Sequence, residues 1–148
     1  MESNAFLDLL LKAYHLVIPP RIDREIRRAR SIPQQNFPAS INLPRHYGKG
    51  MTERVVEILI ARLTCQPGKR ILDVGHANAM NAHLRMLKSL PGPLDITGID
   101  IVPANDTVRS IYTHTVIGNI MKTDFHKESF DLIWCISALE HFGMDNSI

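Results

Sequence analysis

Four short apolar runs, each closing on small or polar residues, constrain this chain more than any other feature of it. They are Ile71-Leu72-Asp73-Val74-Gly75, Leu94 to Val102, Thr113 to Ile117 and Phe130 to Ser137. Strands buried on both faces read as continuous apolar runs, and parallel strands need long crossovers between them. The pattern therefore predicts an α/β fold with a parallel sheet and helices on its faces. After the first run, Met80, Leu84 and Leu87 form the inner stripe of a helix expected from about Asn78, where an asparagine can cap the free amides. Pro91-Gly92-Pro93 stops it. Ahead of the first run, Val56, Leu59, Ile60 and Leu63 share one helical face, with Arg54, Glu57 and Arg62 pointing elsewhere. Cys65-Gln66-Pro67-Gly68 ends that helix. A last helix is expected to begin near Ala138.

With 148 residues, 45% of them hydrophobic and 22% charged, the chain can build one substantial core. A net charge of +2 is too mild to argue for nucleic acid. Cys65 and Cys135 fit no zinc or redox spacing, and Cys135 lies in an apolar run, so a reduced, buried core cysteine is expected there, which suits a reducing cytosol. His76 and His83 read as exposed loop and helix residues with no metal constellation around them.

At the N-terminus, Phe6, Leu9, Leu10, Ala13 and Val17 share one helical face, with Asp8, Lys12 and His15 largely opposite. The stretch is too short and too charged to span a bilayer or to act as a signal peptide. After Pro19-Pro20 comes an arginine-rich run from Arg21 to Arg30. Two readings stay open: a helix packed on the domain followed by a solvated basic helix, which the mixed charges favour, or a surface for a membrane or an acidic partner. Residues 31–50, with Pro33, Pro38, Pro44 and Tyr47-Gly48-Lys49-Gly50, read as an irregular loop. His46 and Tyr47 are read as neutral loop residues ahead of a role over a ligand.

In open parallel sheets ligands bind outside the carboxyl ends of the strands. The first strand ends in Asp73-Val74-Gly75-His76-Ala77-Asn78-Ala79, a small-residue turn that lets a ligand approach the backbone. The second ends in Gly98-Ile99-Asp100-Ile101. Asp100 stands some 20-odd positions past the glycine turn, where a carboxylate grips a ribose diol. The third is followed by Gly118-Asn119-Ile120, and the fourth by Ser137-Ala138-Leu139-Glu140-His141.

In that order, and with Phe125-His126-Lys127-Glu128-Ser129-Phe130-Asp131 leading into the fourth strand, these elements resemble the class I (Rossmann-like) S-adenosylmethionine-dependent methyltransferases. The resemblance is to the type 11 branch and covers about Ile71 to Phe142. It implies a doubly wound parallel sheet, incomplete at about four strands, with N-terminal helices. It also implies a helical cap and loop over residues 1–50 and a partial S-adenosylmethionine-binding domain over 51–148. Carried over by position, Asp73, Gly75 and Ala77 border the methionine end of the cofactor. Asp100, with Ile101 beside it, takes the ribose. Asn119 meets the adenine amino group and the Ile120 amide a ring nitrogen, while Ser137 lines the floor beneath the sulfonium. Ala77 and Ala79 stand where the family has glycines, and Asn119 where aspartate is common.

The resemblance implies methyl transfer to a small-molecule acceptor, with no catalytic base identified and no metal. His141 stands where family members often carry histidine, and a surface histidine reads as well there. Two alternatives remain. One is a non-catalytic cofactor-binding module or remnant that completes its sheet through an exposed fourth-strand edge, with a partner or a second copy. The other is a nicotinamide-binding Rossmann domain, which fits the turn less well because it expects a third glycine.

Overall fold

A computed structural model describes residues 21–34, 40–90 and 92–142. The apolar stripe from Phe6 to Val17, Pro38, Pro91 and any helix continuing past Phe142 lie outside the described residues.

Strand β1 (Arg70–Val74) is the hub. It pairs in parallel with β2 (Asp95–Asp100) on one side and with β4 (Leu132–Trp134) on the other. Strand β3 (His114–Ile117) adds to the far side of β2, giving an all-parallel sheet of order β3-β2-β1-β4. Because β1 is flanked by strands and covered on both faces, four of its five residues are buried, as its apolar sequence requires.

Side chains alternate across the sheet, so Ile71 and Asp73 face one way and Leu72 and Val74 the other. The Ile71 face carries the helices. Helix α1 (residues 21–28) brings Ile22 and Ile26, α2 (Arg54–Thr64) brings Val55 and Ile58, and α3 (Asn81–Lys88) brings Leu84 and Leu87 into one core. A short α4 (Asp106–Arg109), capped by Asn105 accepting from the Val108 amide at 3.1 Å, connects β2 to β3. The opposite face, with Leu72, Val74 and Ile99, is covered by Ile120, Phe125 and Phe130 from the β3–β4 connection. Parallel crossovers are right-handed, so a chain that winds outward from β1 to β3 and returns to the far side of β1 must change faces. That reversal is the doubly wound topology, and it puts the switch point between β1 and β4.

Several expectations need correction. Helix α2 buries Val55, Ile58, Leu59, Ala61, Leu63 and Thr64, and Val56 is 38% exposed. It has two buried sides: Val55 and Ile58 meet the main core, while Leu59 and Leu63 pack with Ala29 behind α1. A single-stripe reading misses the second. Helix α3 starts at Asn81 with Met80 at its N-cap, because residues 76–79 close a turn of their own, Ala79 donating to the His76 carbonyl at 3.0 Å. Cys65 is buried and Cys135 only half-buried, and neither is in a disulfide. The β3–β4 connection has a 3-10 turn, Ile120–Lys122, in place of a helix, and another, Leu139–His141, follows β4. The β4 ladder is three residues long, shorter than the apolar run that contains it. No helix among the described residues is long and apolar enough to cross a membrane.

Candidate functional site

The strand ends are laced together through Asp100, the last residue of β2. Its carboxylate accepts the Ala77 amide at 2.9 Å and the Val102 amide at 3.3 Å. Its carbonyl accepts the Gly118 amide at 2.8 Å. One residue thus holds the turn after β1, the exit of β2 and the exit of β3. An ionised carboxylate has about four acceptor positions, so two remain after the two amides. An open groove of about 510 Å³ lies beside this junction, lined by Ala77, Asn78, Ala79 and, from the start of α4, Asn105 and Asp106.

Gly75 sits in the left-handed region at φ 84, and a Cβ there would lie 2.5 Å from the Ala138 Cβ. Any side chain would be strained and would clash, so the β1 turn and the β4 exit meet only because residue 75 is glycine. Ala77 and Ala79 carry no positive φ, so alanine costs nothing where the resemblance implies glycine.

Ser137 has φ 50 and a central place in a further set of bonds. Its hydroxyl accepts from Arg54 Nε at 2.9 Å and donates to Glu57 Oε2 at 2.9 Å. Helix α2 precedes β1 and runs back against it, which hangs its first turn over the carboxyl ends of the strands. Arg54 and Glu57 are residues that sequence reasoning missed. Their periodicity says only that they avoid the apolar stripe, and nothing local links them to a residue 80 positions on.

Asn119 is exposed and leads into the Ile120–Lys122 turn, its Oδ1 accepting from the Met121 amide at 2.9 Å. Its side-chain amide donor and the second lone pair of Oδ1 remain available. Ile101 is exposed beside Asp100, whereas Ile120 is half-buried on the Leu72 face.

Asp73 stands apart from the rest. It is 1% exposed, accepts from the Tyr112 hydroxyl at 2.6 Å, and lies 3.4 Å from His83 Nε2. Burial pushes its carboxyl up, opposed by His83 and by the Tyr112 bond. Burial likewise pushes His83 down, against the pull of Asp73, and raises the Tyr112 phenol. His76 completes the cluster, its ring edge-on to Tyr112 with centroids 4.8 Å apart. The expectation of exposed histidines is therefore corrected: His76 is 2% and His83 3% exposed. His76 fits because Gly98 lacks a side chain; a Cβ there would fall 2.5 Å from the imidazole. His83 belongs to the buried face of α3, directly above Asp73. Tyr112 was missed, since it follows α4 in a segment with no periodic signal. Of the loop residues, Tyr47 braces the fold, donating to the Val55 carbonyl at 3.2 Å, and His46 is exposed. Among the described residues no group of three potential ligands is arranged to hold a metal ion.

Residues 72–147, more than half the chain, match the family model described as a methyltransferase domain. The chain belongs to the methyltransferase domain family. That family is class I and S-adenosylmethionine-dependent, which agrees with the four-stranded parallel sheet and identifies the cofactor class. No curated protein and no solved structure matches the chain. The donor set of this methyltransferase edge fits a nucleoside cofactor. It offers a carboxylate with lone pairs to spare and an exposed carboxamide one residue past Gly118.

Proposed function

We propose that the carboxyl edge of β1, β2 and β3 binds S-adenosylmethionine, and that the protein transfers its methyl group to a small-molecule acceptor. The observation that carries this reading is Asp100, which joins three strand ends and keeps acceptor positions for a ribose diol. In this arrangement Asp100 takes the ribose with Ile101 alongside. Asn119 and the Ile120 amide face the adenine, and Gly75 and Ala77 border the methionine end. Ser137, held by Arg54 and Glu57, lies beneath the reacting centre. Asp73, buried and bonded to Tyr112, supports the turn from below.

When bound, the cofactor supplies an electrophilic methyl group on a sulfonium. The protein's share is alignment of donor and acceptor, and such positioning contributes on the order of 7–11 kcal/mol. Reduced Cys65 and Cys135 favour a cytosolic setting.

Calorimetric titration with S-adenosylmethionine, with NAD as the competing dinucleotide, tests the reading. Saturable binding of S-adenosylmethionine alone, lost in Asp100→Ala, supports it. Saturation by NAD in its place, or no binding by the folded chain, ends it.

A second reading rests on β4. It is paired on one side only among the described residues, and Ile133 is 67% exposed. Such an edge suits pairing with another strand, from a partner or a second copy, which would make this a binding module completed by association. Light scattering distinguishes the two: a monomer at high concentration removes the self-pairing version.

A further inference from the structure

Charge is segregated along this chain. Residues 1–50 hold eight lysines and arginines against four carboxylates, whereas residues 51–148 hold nine against eleven. Such asymmetry between halves points to a polyanionic contact more strongly than the modest net charge does. The excess concentrates on α1. Ile22, Glu25, Ile26 and Ala29 form its buried side, so Arg21, Arg24, Arg27 and Arg28 are turned to solvent.

The acids within this stretch are already engaged. Glu25 is buried beneath Arg28 at 2.8 Å, and Asp23 pairs with Arg85. Arg28 also donates to the Arg45 carbonyl at 2.9 Å, which draws exposed Arg45 and the turn containing Lys49 toward the same end of the helix. Among the described residues no carboxylate pairs with Arg21, Arg24, Arg27, Arg45 or Lys49. Arg62 anchors the far end of α1 through the carbonyls of Ala29, Arg30 and Ile32, so the cations sit on a fixed support.

We propose that the arginine face of α1 docks the protein on an anionic phospholipid surface. The exposed cations without a carboxylate partner are complementary to an external polyanion, and two features favour lipid over nucleic acid. No aromatic side chain interleaves the cations from Arg21 to Arg30 to stack on bases. The sequence just upstream, before Pro19-Pro20, repeats apolar residues at helical spacing, Phe6, Leu9, Leu10, Ala13 and Val17, and an apolar segment next in sequence to a basic one is an interfacial signature. This inference is independent of the reading of the cofactor site.

The test is co-sedimentation of the full chain with phosphatidylserine-containing vesicles and with pure phosphatidylcholine vesicles, at low and high salt. The protein should bind the anionic vesicles only, and release with salt. Arg21→Glu/Arg24→Glu/Arg27→Glu should weaken binding by on the order of 100-fold or more. Its melting temperature and its titration with S-adenosylmethionine should stay unchanged, which separates a lost surface from a lost fold. Arg45→Glu/Lys49→Glu, outside the helix, should weaken binding by on the order of tenfold. Failure to bind anionic vesicles, equal binding by the triple variant, or tighter binding of RNA than of vesicles at the same salt would overturn the proposal.

Discussion

Asp73 and Asp100 are both strand-end carboxylates on the helix-bearing face of the sheet, yet their surroundings differ sharply. Asp73 lies within the ladder, opposite Gly98 and Trp134, and α3 closes over it. Its partners are side chains: Tyr112 and His83. Asp100 lies one step past the last β1–β2 pair, is only half-buried, and its partners are backbone amides from two loops. The same residue type therefore stiffens the interior at one place and ties loops together at the edge of the sheet at the other. A shift of two residues along the sheet, from the level of Gly98 to that of Asp100, decides which.

Substitutions can break or sharpen that contrast. The largest effect is expected at Gly75, where the two regions meet: Gly75→Ala combines a left-handed backbone with a clash against Ala138 and should cost about 3–5 kcal/mol of stability. Chemical denaturation measures it, and a loss below about 1 kcal/mol would mean that the β1–β4 junction is loose. Asp100→Ala should lower affinity for S-adenosylmethionine about 100-fold, or about 2.7 kcal/mol, with a smaller loss of stability, about 1–2 kcal/mol, from the loop amides it leaves unpaired. Calorimetry and a thermal melt on the same sample separate the two. Tyr112→Phe should do the reverse, losing about 1–3 kcal/mol of stability by leaving Asp73 short of a donor, with affinity nearly intact. Equal effects of both variants on binding would erase the distinction between interior and edge.

Gly98→Ala should cost about 1–3 kcal/mol by forcing His76 from its seat. Adding His76→Ala should recover part of the loss if the clash is the cause. The smallest effect is in pH dependence. His83 is held neutral by burial, so its folded pKa lies below the ordinary 6.5. Below pH 6.5 the unfolded chain takes up a proton that the folded chain resists, and stability falls as pH falls through that window. Asp73, raised by burial, works in the opposite sense, losing stability as pH rises above 3.8 toward its folded value. The stability of the native protein relative to His83→Gln should therefore decline between pH 7 and 5 in urea titrations. A parallel pair of curves would show that His83 does not titrate differently in the two states.

Much of this was legible in the amino-acid order. Apolar runs around Leu72 and Ile99 mark β1 and β2, because a parallel sheet buries its inner strands on both faces and so demands unbroken hydrophobicity. Those around Val116 and Ile133 mark the outer strands β3 and β4, which are only partly buried. That the Gly75 turn and Asp100 stand at strand ends was legible for a related reason: strand ends are visible as changes of composition. Tertiary structure alone decided which side chains were interior. His76 and His83 look polar and exposed in sequence, but burial depends on the vacancy opposite Gly98 and on Asp73 beneath α3. Val56 fails the periodic expectation because the buried sector of α2 is centred on Val55, Ile58 and Leu59, which leaves Val56 at its margin. Arg54 and Glu57 reach Ser137 only after α2 folds back along β1. Periodicity records which face of one element avoids water; it carries no information about which distant residue will face it, and that pairing is made by packing.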